Sequence, residues 1–320
     1  MPANTFLPTF SVCLCTRDHP EGLRRTLQSV AASTTPPHQL IVVDDSSNYQ
    51  TRELLRHGGP DLPDLRGLPD LVYLEGPRRS GAASRNRGLR AATGSHVLFL
   101  DDRTLLGPTF LQQMADRLAD DYVHRTASGC ATPLILTGTD LCQGQRGKPR
   151  KAAFLGYPSL DYRHGERLCS VVLHSTVFPR ALFDDVRFGE QLAAGYEVCE
   201  LACRAVYEFG HRIMLVPSAV NQHAAAAAGL DDDAAPAGTA SRLYVTYRHY
   251  GRCQHRPVKA ALYLAVALPH MLARNVRRAG WHGTVPAWDT TRQLWALLRT
   301  GQQPQARGAE PGTSLPGSMA

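Results

Sequence analysis

Apolar residues gather in short runs along the first part of the chain, and two of these runs end on acids. Residues 10–15 (Phe-Ser-Val-Cys-Leu-Cys), 40–43 (Leu-Ile-Val-Val) and 97–100 (Val-Leu-Phe-Leu) have the length and β-branched character of strands buried on both faces. The second and third run into Asp44-Asp45 and Asp101-Asp102. Residues 71–74 predict a further strand. Between these runs the spacing turns helical. Asp18 precedes Glu21 at capping-box distance, with Leu23, Leu27 and Val30 following on one helix face. Residues 51–56 predict a brief helix and 57–70 a Pro/Gly-rich loop. Ser80 predicts the cap of a helix reaching Ala92 with Gly94 as its stop, and 110–118 predict another helix. Strands alternating with helices predict an α/β, doubly wound, mostly parallel sheet with helices on both faces. Such sheets bind ligands beyond the carboxyl ends of their strands, where the strand order reverses. Both aspartate pairs sit at such ends. Farther along, 129–136 and 168–178 predict strands flanking a basic loop that contains Arg146, Lys148, Arg150 and Lys151. A helix is expected from Glu197 to Gly210, then a last strand at 211–216 and a turn at 217–223.

The 320 residues, 43% of them hydrophobic, suffice for one large domain and an appendage. Residues 301–320 are rich in Gly, Pro, Gln and Ser and predict a disordered tail. The net charge of +7 is concentrated. Residues 234–288 contain no Asp or Glu but hold Arg242, Arg248, Arg252, Arg256, Lys259, Arg274, Arg277 and Arg278. This segment reads either as a helical pair with solvated arginines or as a peripheral contact with an anionic membrane. Residues 260–268 are apolar on every face, which predicts burial all round, yet they are too few to span a bilayer. Arg242, Tyr244, Tyr247, Arg248, Tyr250 and Arg252 interleave as in some nucleic-acid surfaces, but no nucleic-acid module surrounds them, and a nucleic-acid partner is not expected. The eight cysteines form no C-x-x-C pair and predict reduced thiols rather than a zinc site. The opening residues lack a signal-peptide pattern, so a cytoplasmic protein is expected, peripheral at the inner membrane face if the basic segment meets lipid. Neither a P-loop nor a dinucleotide fingerprint occurs.

Three segments carry chemistry. A carboxylate at Asp44-Asp45 is placed to accept hydrogen bonds from a ribose hydroxyl or a base N–H; capping the next turn is the plain alternative. Asp101-Asp102, followed by Arg103, suits a divalent cation held against a diphosphate, with the same plain alternative. Between them, residues 80–88 (Ser-Gly-Ala-Ala-Ser-Arg-Asn-Arg-Gly) offer small residues at a helix start, where a diphosphate approaches backbone N–H groups and Arg85 pairs with phosphate. A solvated basic helix face is the alternative there.

In order and spacing, residues 10–16, 42–46, 85–88 and 97–102 resemble the nucleotide-binding half of family 2 glycosyltransferases. Phe178-Pro179-Arg180, Gly195-Tyr196-Glu197, Glu200-Leu201, Arg204-Ala205, Gly210, Val216-Pro217 and His223 resemble the second half. The resemblance implies a GT-A fold over residues 1–230, with a nucleotide-binding half at 8–125, an acceptor half at 126–230 and a basic helical C-terminal extension at 231–290. It also implies sugar transfer from a UDP- or dTDP-sugar to an acceptor hydroxyl with inversion, a Mg2+ or Mn2+ ion, and a place in carbohydrate or natural-product biosynthesis. Carried over, Thr16 and Asp45 would hold the nucleoside and Arg85 the base or phosphates. Asp101 would face the donor, and Asp102 with His223 would bind the metal. Glu197 would be the acceptor-activating base, with Glu200 as its rival and His174 as a further candidate. Three departures stand out. Arg103 replaces an expected acid, Val198 replaces the usual aspartate after Glu197, and Phe188-Gly189-Glu190 replaces Phe-Asp-Glu. They leave a second reading, a non-catalytic nucleotide-sugar-binding protein or partner subunit with the same fold.

Overall fold

The computed structural model describes residues 7–57, 70–129, 132–193, 195–224 and 235–301. Strands β1 (Phe10–Thr16), β2 (Gln39–Asp44), β3 (Leu71–Glu75) and β4 (His96–Asp101) alternate with helices α1 (Pro20–Ala31), α2 (Gln50–His57) and α3 (Gly81–Ala91). There follow β5 (Thr104–Leu105), α4 (Phe110–Ser128), β6 (Leu134–Cys142) and three short strands, β7 (Gln145–Gly147), β8 (Lys151–Ala152) and β9 (Pro158–Leu160). Then come β10 (Thr176–Pro179), α5 (Leu182–Asp185), α6 (Tyr196–Tyr207) and β11 (Arg212–His223). Among the described residues the main sheet runs β3-β2-β1-β4-β10-β6-β11-β5, with β7 beside β6.

The doubly wound arrangement follows from alternation along each strand. Val12, Leu14, Leu40, Val42, Leu98 and Leu100 face one layer with α1 and α4, while Cys13, Ile41, Val43, Val97 and Phe99 face the other with α3 and α6. β3, β2, β1 and β4 pair in parallel. Beyond β4 the sheet is mixed, because β10 runs antiparallel to both β4 and β6. Gly88 lets α3 lie close on the sheet: a Cβ there would stand 2.1 Å from Cys13 Sγ. Thr16 is level with Asp44 and Cys15 with Asp101, so three strands end together at the reversal of strand order.

Several local expectations are corrected. Asp18 does not cap α1; its backbone is left-handed and its carboxylate accepts from the Ser47 N–H and hydroxyl instead, leaving His19 as an N-cap without a side-chain bond. Gly94 is no left-handed stop. A Cβ there would meet the Ser11 nitrogen at 2.8 Å, so the residue serves close approach to β1. Of residues 168–178 only the last few pair as a strand, preceded by a single 3-10 turn at Leu173–Ser175. β11 continues through Pro217 to His223, because a register shift between Leu215 and Val220 accommodates the missing N–H. Ser80 does cap α3, accepting from the Ala83 N–H at 3.2 Å. The expected loop at 57–70 and the tail at 301–320 fall almost wholly outside the described residues.

His96, 4% exposed at the start of β4, gives a pH-dependent stability. Burial, helped by Arg125, pushes its pKa down from 6.5 to about 4. Between those values the unfolded chain binds the extra proton, so this contribution is complete above the unfolded pKa and is lost as pH falls through the folded one. The expected loss is on the order of 3 kcal/mol. Urea unfolding at roughly pH 7 and pH 4.5 should show it, and His96→Gln should flatten the slope. An unchanged slope would assign the pH dependence to other groups.

After β11 come α7 (Pro236–Arg248), a π-helical turn at His249–Cys253, α8 (Pro257–Ala279), a 3-10 turn at Gly280–Gly283 and α9 (Thr284–Thr300). They share a third core: Leu243 and Tyr244 of α7 pack with Ala260, Tyr263 and Ala267 of α8 and Leu294 and Leu297 of α9. Two expectations change here. Residues 260–268 are buried on one side only, since Leu262 and Val266 stay exposed. The interleaved arginines are largely internal. Arg242 is 2% exposed, lies over the Tyr157 ring at 4.1 Å and donates to the Leu155 carbonyl. Arg248 pairs with Glu200 and Glu208, and Arg274 donates to the Tyr157 hydroxyl at 2.8 Å. Neither Arg242 nor Arg248 is free to track a phosphate backbone. Among the described residues no helix is long and apolar enough to cross a membrane, and seven cysteines are free.

Candidate active site

Strand β4 delivers Asp101 and Asp102 to opposite sides of its end, because successive side chains alternate. Asp102 turns toward β1 and α1. Its Oδ2 accepts from the Thr16 hydroxyl at 2.8 Å and the Arg17 N–H at 3.2 Å, and its Oδ1 lies 3.3 Å from His19 Nδ1. Asp101 turns toward β10 and β11. Its Oδ1 accepts from the Thr104 hydroxyl at 2.6 Å and the Arg103 N–H at 3.1 Å. Its Oδ2 lies 3.2 Å from His223 Nε2 and 3.4 Å from His174 Nε2. The two imidazoles stack with planes 5° apart. Asp102 and His223, expected to act together as ligands, both line the neighbouring cavity, while Asp101 is the acid that lies against His223.

Burial by itself would raise the pKa of Asp101, but His174, His223 and Thr104 outweigh it and hold the carboxylate well below the usual range. Burial lowers His174, with Asp101 opposing and Arg85 and His223 reinforcing. The hydrogen bond to Asp101 raises His223 against the effect of burial. His174 Nδ1 lies 3.3 Å from the Phe99 carbonyl, which favours the tautomer with its proton on Nδ1. Nε2 then carries a lone pair facing a carboxylate oxygen. In the neutral ring that lone pair and the carboxylate both suit a cation lying between them, whereas a protonated ring would donate to Asp101. One carboxylate oxygen and two imidazole nitrogens, all within 4.8 Å of one another, fit a metal ion. Asn221, fully buried, fixes this arrangement by donating to the His174 carbonyl at 2.6 Å and accepting from the Gly107 N–H at 2.9 Å.

Beside this cluster opens a cavity of about 240 Å³, lined by Asp102, Arg103, Gln222 and His223 and by His19 and Arg25 of α1. At the end of β2 the two aspartates also diverge. Asp44 is buried and accepts from the Ser46 N–H and the Tyr73 hydroxyl, both at 2.9 Å, which makes it a turn cap. Asp45 is half-buried and accepts from the Arg78 N–H at 2.7 Å and from the Ser84 hydroxyl. Thr16, 4% exposed, is already engaged by Asp102.

Arg85 does not touch Asp45. It points between α3 and α6, with Nη1 2.7 Å from Glu197 Oε1 and its guanidinium 5.6 Å from the Phe188 ring centre. Asn86 holds that ring's loop: its side chain donates to the Phe188 carbonyl and to Glu190, and accepts from the Phe188 N–H. Glu197 is 2% exposed, and its Oε2 is buried without a hydrogen-bond partner. Glu200, 6% exposed, lies 2.8 Å from Arg204 and 3.1 Å from Arg248. Burial raises its pKa against those two cations. Its place is the junction of α6 with α7, where it is ion-paired with one arginine from each helix.

Sequence reasoning named His174 only as a reserve base and missed Asn221 and Thr104; it singled out the segment holding Ser84 but not that residue's bond to Asp45. Thr104 alone left a signal, lying three residues after Asp101. Asn221 reaches the site on β11, distant in sequence.

Residues 11–154 match the model of Glycosyl transferase family 2. An uncharacterized glycosyltransferase of Bacillus subtilis, YwdF, is 24% identical over 73% of this chain and 81% of its own length. A validoxylamine A glucosyltransferase of Streptomyces hygroscopicus subsp. limoneus is 30% identical over 40% of this chain, and the match spans only 28% of that enzyme. Among solved structures, S. aureus TarS 1-349 in complex with UDP superposes with a TM-score of 0.55 at 16% identity, covering 92% of each chain, a likeness of fold. Taken with the sheet order, these matches show the GT-A fold, with residues 11–154 similar to family 2 glycosyltransferases.

Proposed function

We propose that this chain transfers a sugar from a nucleoside diphosphate sugar to an acceptor hydroxyl, in one displacement that inverts the anomeric carbon. The observation that carries this reading is the convergence of Asp101, His174 and His223 beside a cavity lined by Asp102 and Arg103. Asp101, His174 and His223 would hold a divalent cation, which supplies positive charge to the leaving diphosphate. Arg103, exposed at the cavity, adds a second positive charge to the leaving group. Asp45 is proposed to hold the nucleoside by exchanging its bond from Ser84 for one from the ligand, and Thr16 lies beside it at the end of β1. Glu197 is proposed to take the acceptor's proton through Oε2, the oxygen that Arg85 leaves unused.

Calorimetry with a panel of UDP-, dTDP- and GDP-sugars tests the donor site. The UDP in the TarS complex makes uridine diphosphate the first nucleotide to try. Asp45→Ala should weaken binding about tenfold or more, the value of a charge-assisted hydrogen bond at about 1.5–3 kcal/mol. Equal affinities would remove Asp45 from the site, and no binding across the panel would sink the donor reading. A second reading, a partner subunit that binds the donor without turnover, is favoured by the burial of Glu197. Mass spectrometry of the same mixtures separates the two, because slow donor hydrolysis excludes a purely binding role.

A further inference from the structure

The helices after the sheet leave an apolar surface uncovered. On α8, Val258, Leu262, Val266 and Leu272 recur at helical spacing and are all exposed, Val258 at 81%. On α9, Val285, Trp288 and Trp295 do the same, and Trp281, in the turn between the helices, is 85% exposed. The opposite sides of both helices are the ones buried against α7. Arg277, Arg278, Arg292 and Arg299 are exposed on the same two helices, and the Arg299 guanidinium lies 5.7 Å from the Trp295 ring centre.

We propose that the outward sides of α8 and α9 are a peripheral docking surface for an anionic phospholipid bilayer. Charge selects this occupant. Residues 235–301 contain ten Lys and Arg against a single acid, Asp289, and seven of them remain once the internally packed Arg242, Arg248 and Arg274 are set aside. A second copy of the chain would set two such faces, of like charge, against each other. A nucleic acid would meet the aliphatic row of α8, which has no use for phosphate. The remaining end of the chain, 302–320, offers only Leu315 and Met319 as large apolar residues. A bilayer interface matches every component: aliphatic side chains enter the acyl boundary, tryptophan rings sit at the headgroup level and arginines meet lipid phosphate. Arg242, Arg248 and Arg274 are excluded from this surface because they pack internally.

The test needs no turnover and is independent of the transfer reading. Full-length protein is floated with vesicles of phosphatidylcholine alone and of phosphatidylcholine mixed with phosphatidylglycerol, while tryptophan emission is recorded. Flotation with the anionic vesicles only, a blue-shifted emission and release by high salt are expected. The triple variant Trp281→Ser, Trp288→Ser, Trp295→Ser should partition about tenfold or more weakly with an unchanged melting temperature. Arg277→Gln with Arg278→Gln should weaken binding most at low salt. Absence of flotation at low salt, equal flotation with neutral vesicles, or a triple variant that binds like wild type would overturn the proposal. So would a solution dimer that the triple variant dissociates, which would give the surface to a second copy.

Discussion

Asp101→Asn is expected to abolish metal binding and to reduce sugar transfer by on the order of 10²–10³-fold, because a cation that neutralises a leaving group is worth several kcal/mol. The substitution keeps the shape and the bond from Thr104 but removes the charge that both histidines face. Metal titration of the protein alone is the direct readout. Two imidazoles and one carboxylate form a softer set than the all-oxygen sites that suit Mg2+, so Mn2+ should bind more tightly than Mg2+. His223→Ala and His174→Ala should each weaken Mn2+ binding, whereas Asp102→Asn should leave it nearly intact, since Asp102 is occupied by Thr16, Arg17 and His19. Mn2+ affinity lost in Asp102→Asn and kept in His174→Ala would return the site to the pair expected from sequence. Full transfer in EDTA would leave charge neutralisation to Arg103.

Glu197→Gln is expected to lower turnover by roughly 10²–10⁴-fold while donor affinity changes little, because a general base acts in the transition state. The ion pair with Arg85 gives this prediction a specific rival. If Glu197 works instead by holding Arg85 in place, Glu197→Gln and Arg85→Ala should weaken donor binding together. Measuring KM or donor affinity beside turnover separates the two roles. Glu200→Gln is the control. It leaves Arg204 and Arg248 without their shared buried acid, so stability should fall by about 3–5 kcal/mol while turnover per folded molecule holds. Loss of turnover in a fully folded Glu200→Gln protein would restore Glu200 as the base.

The strand-end acids were legible in the sequence because an apolar run followed by an acid has one meaning in a parallel sheet: the strand is buried and the acid lies at its carboxyl end. The run at 97–100 therefore places Asp101 and Asp102 at the ligand-binding edge of the sheet. It does not say which aspartate faces which neighbour, since alternation sends the two to opposite sides and only the flanking strands reveal what waits there. The 3-10 turn just before β10 and the end of β11, both distant in sequence, carry His174 and His223 to the side of Asp101. The same limit applies to Glu197, whose partner Arg85 lies more than a hundred residues earlier, on α3.

For the C-terminal helices, composition identified a basic, apolar segment, but its exposed rows emerged only from the packing. Which arginines are solvated was a tertiary question. Arg242 and Arg248 look alike in sequence to Arg277 and Arg278, but the first two face Tyr157, Glu200 and Glu208 across a core, and the last two face solvent. By itself the sequence determined the alternation of buried strands and helices, the level at which ligands bind and the family pattern of the motifs, because these depend on local periodicity and order along the chain. The tertiary structure alone decided which acid meets the histidines, which arginines each glutamate pairs with and which surface is left uncovered, because each depends on contacts between segments whose separation along the chain carries no signal of their distance in space.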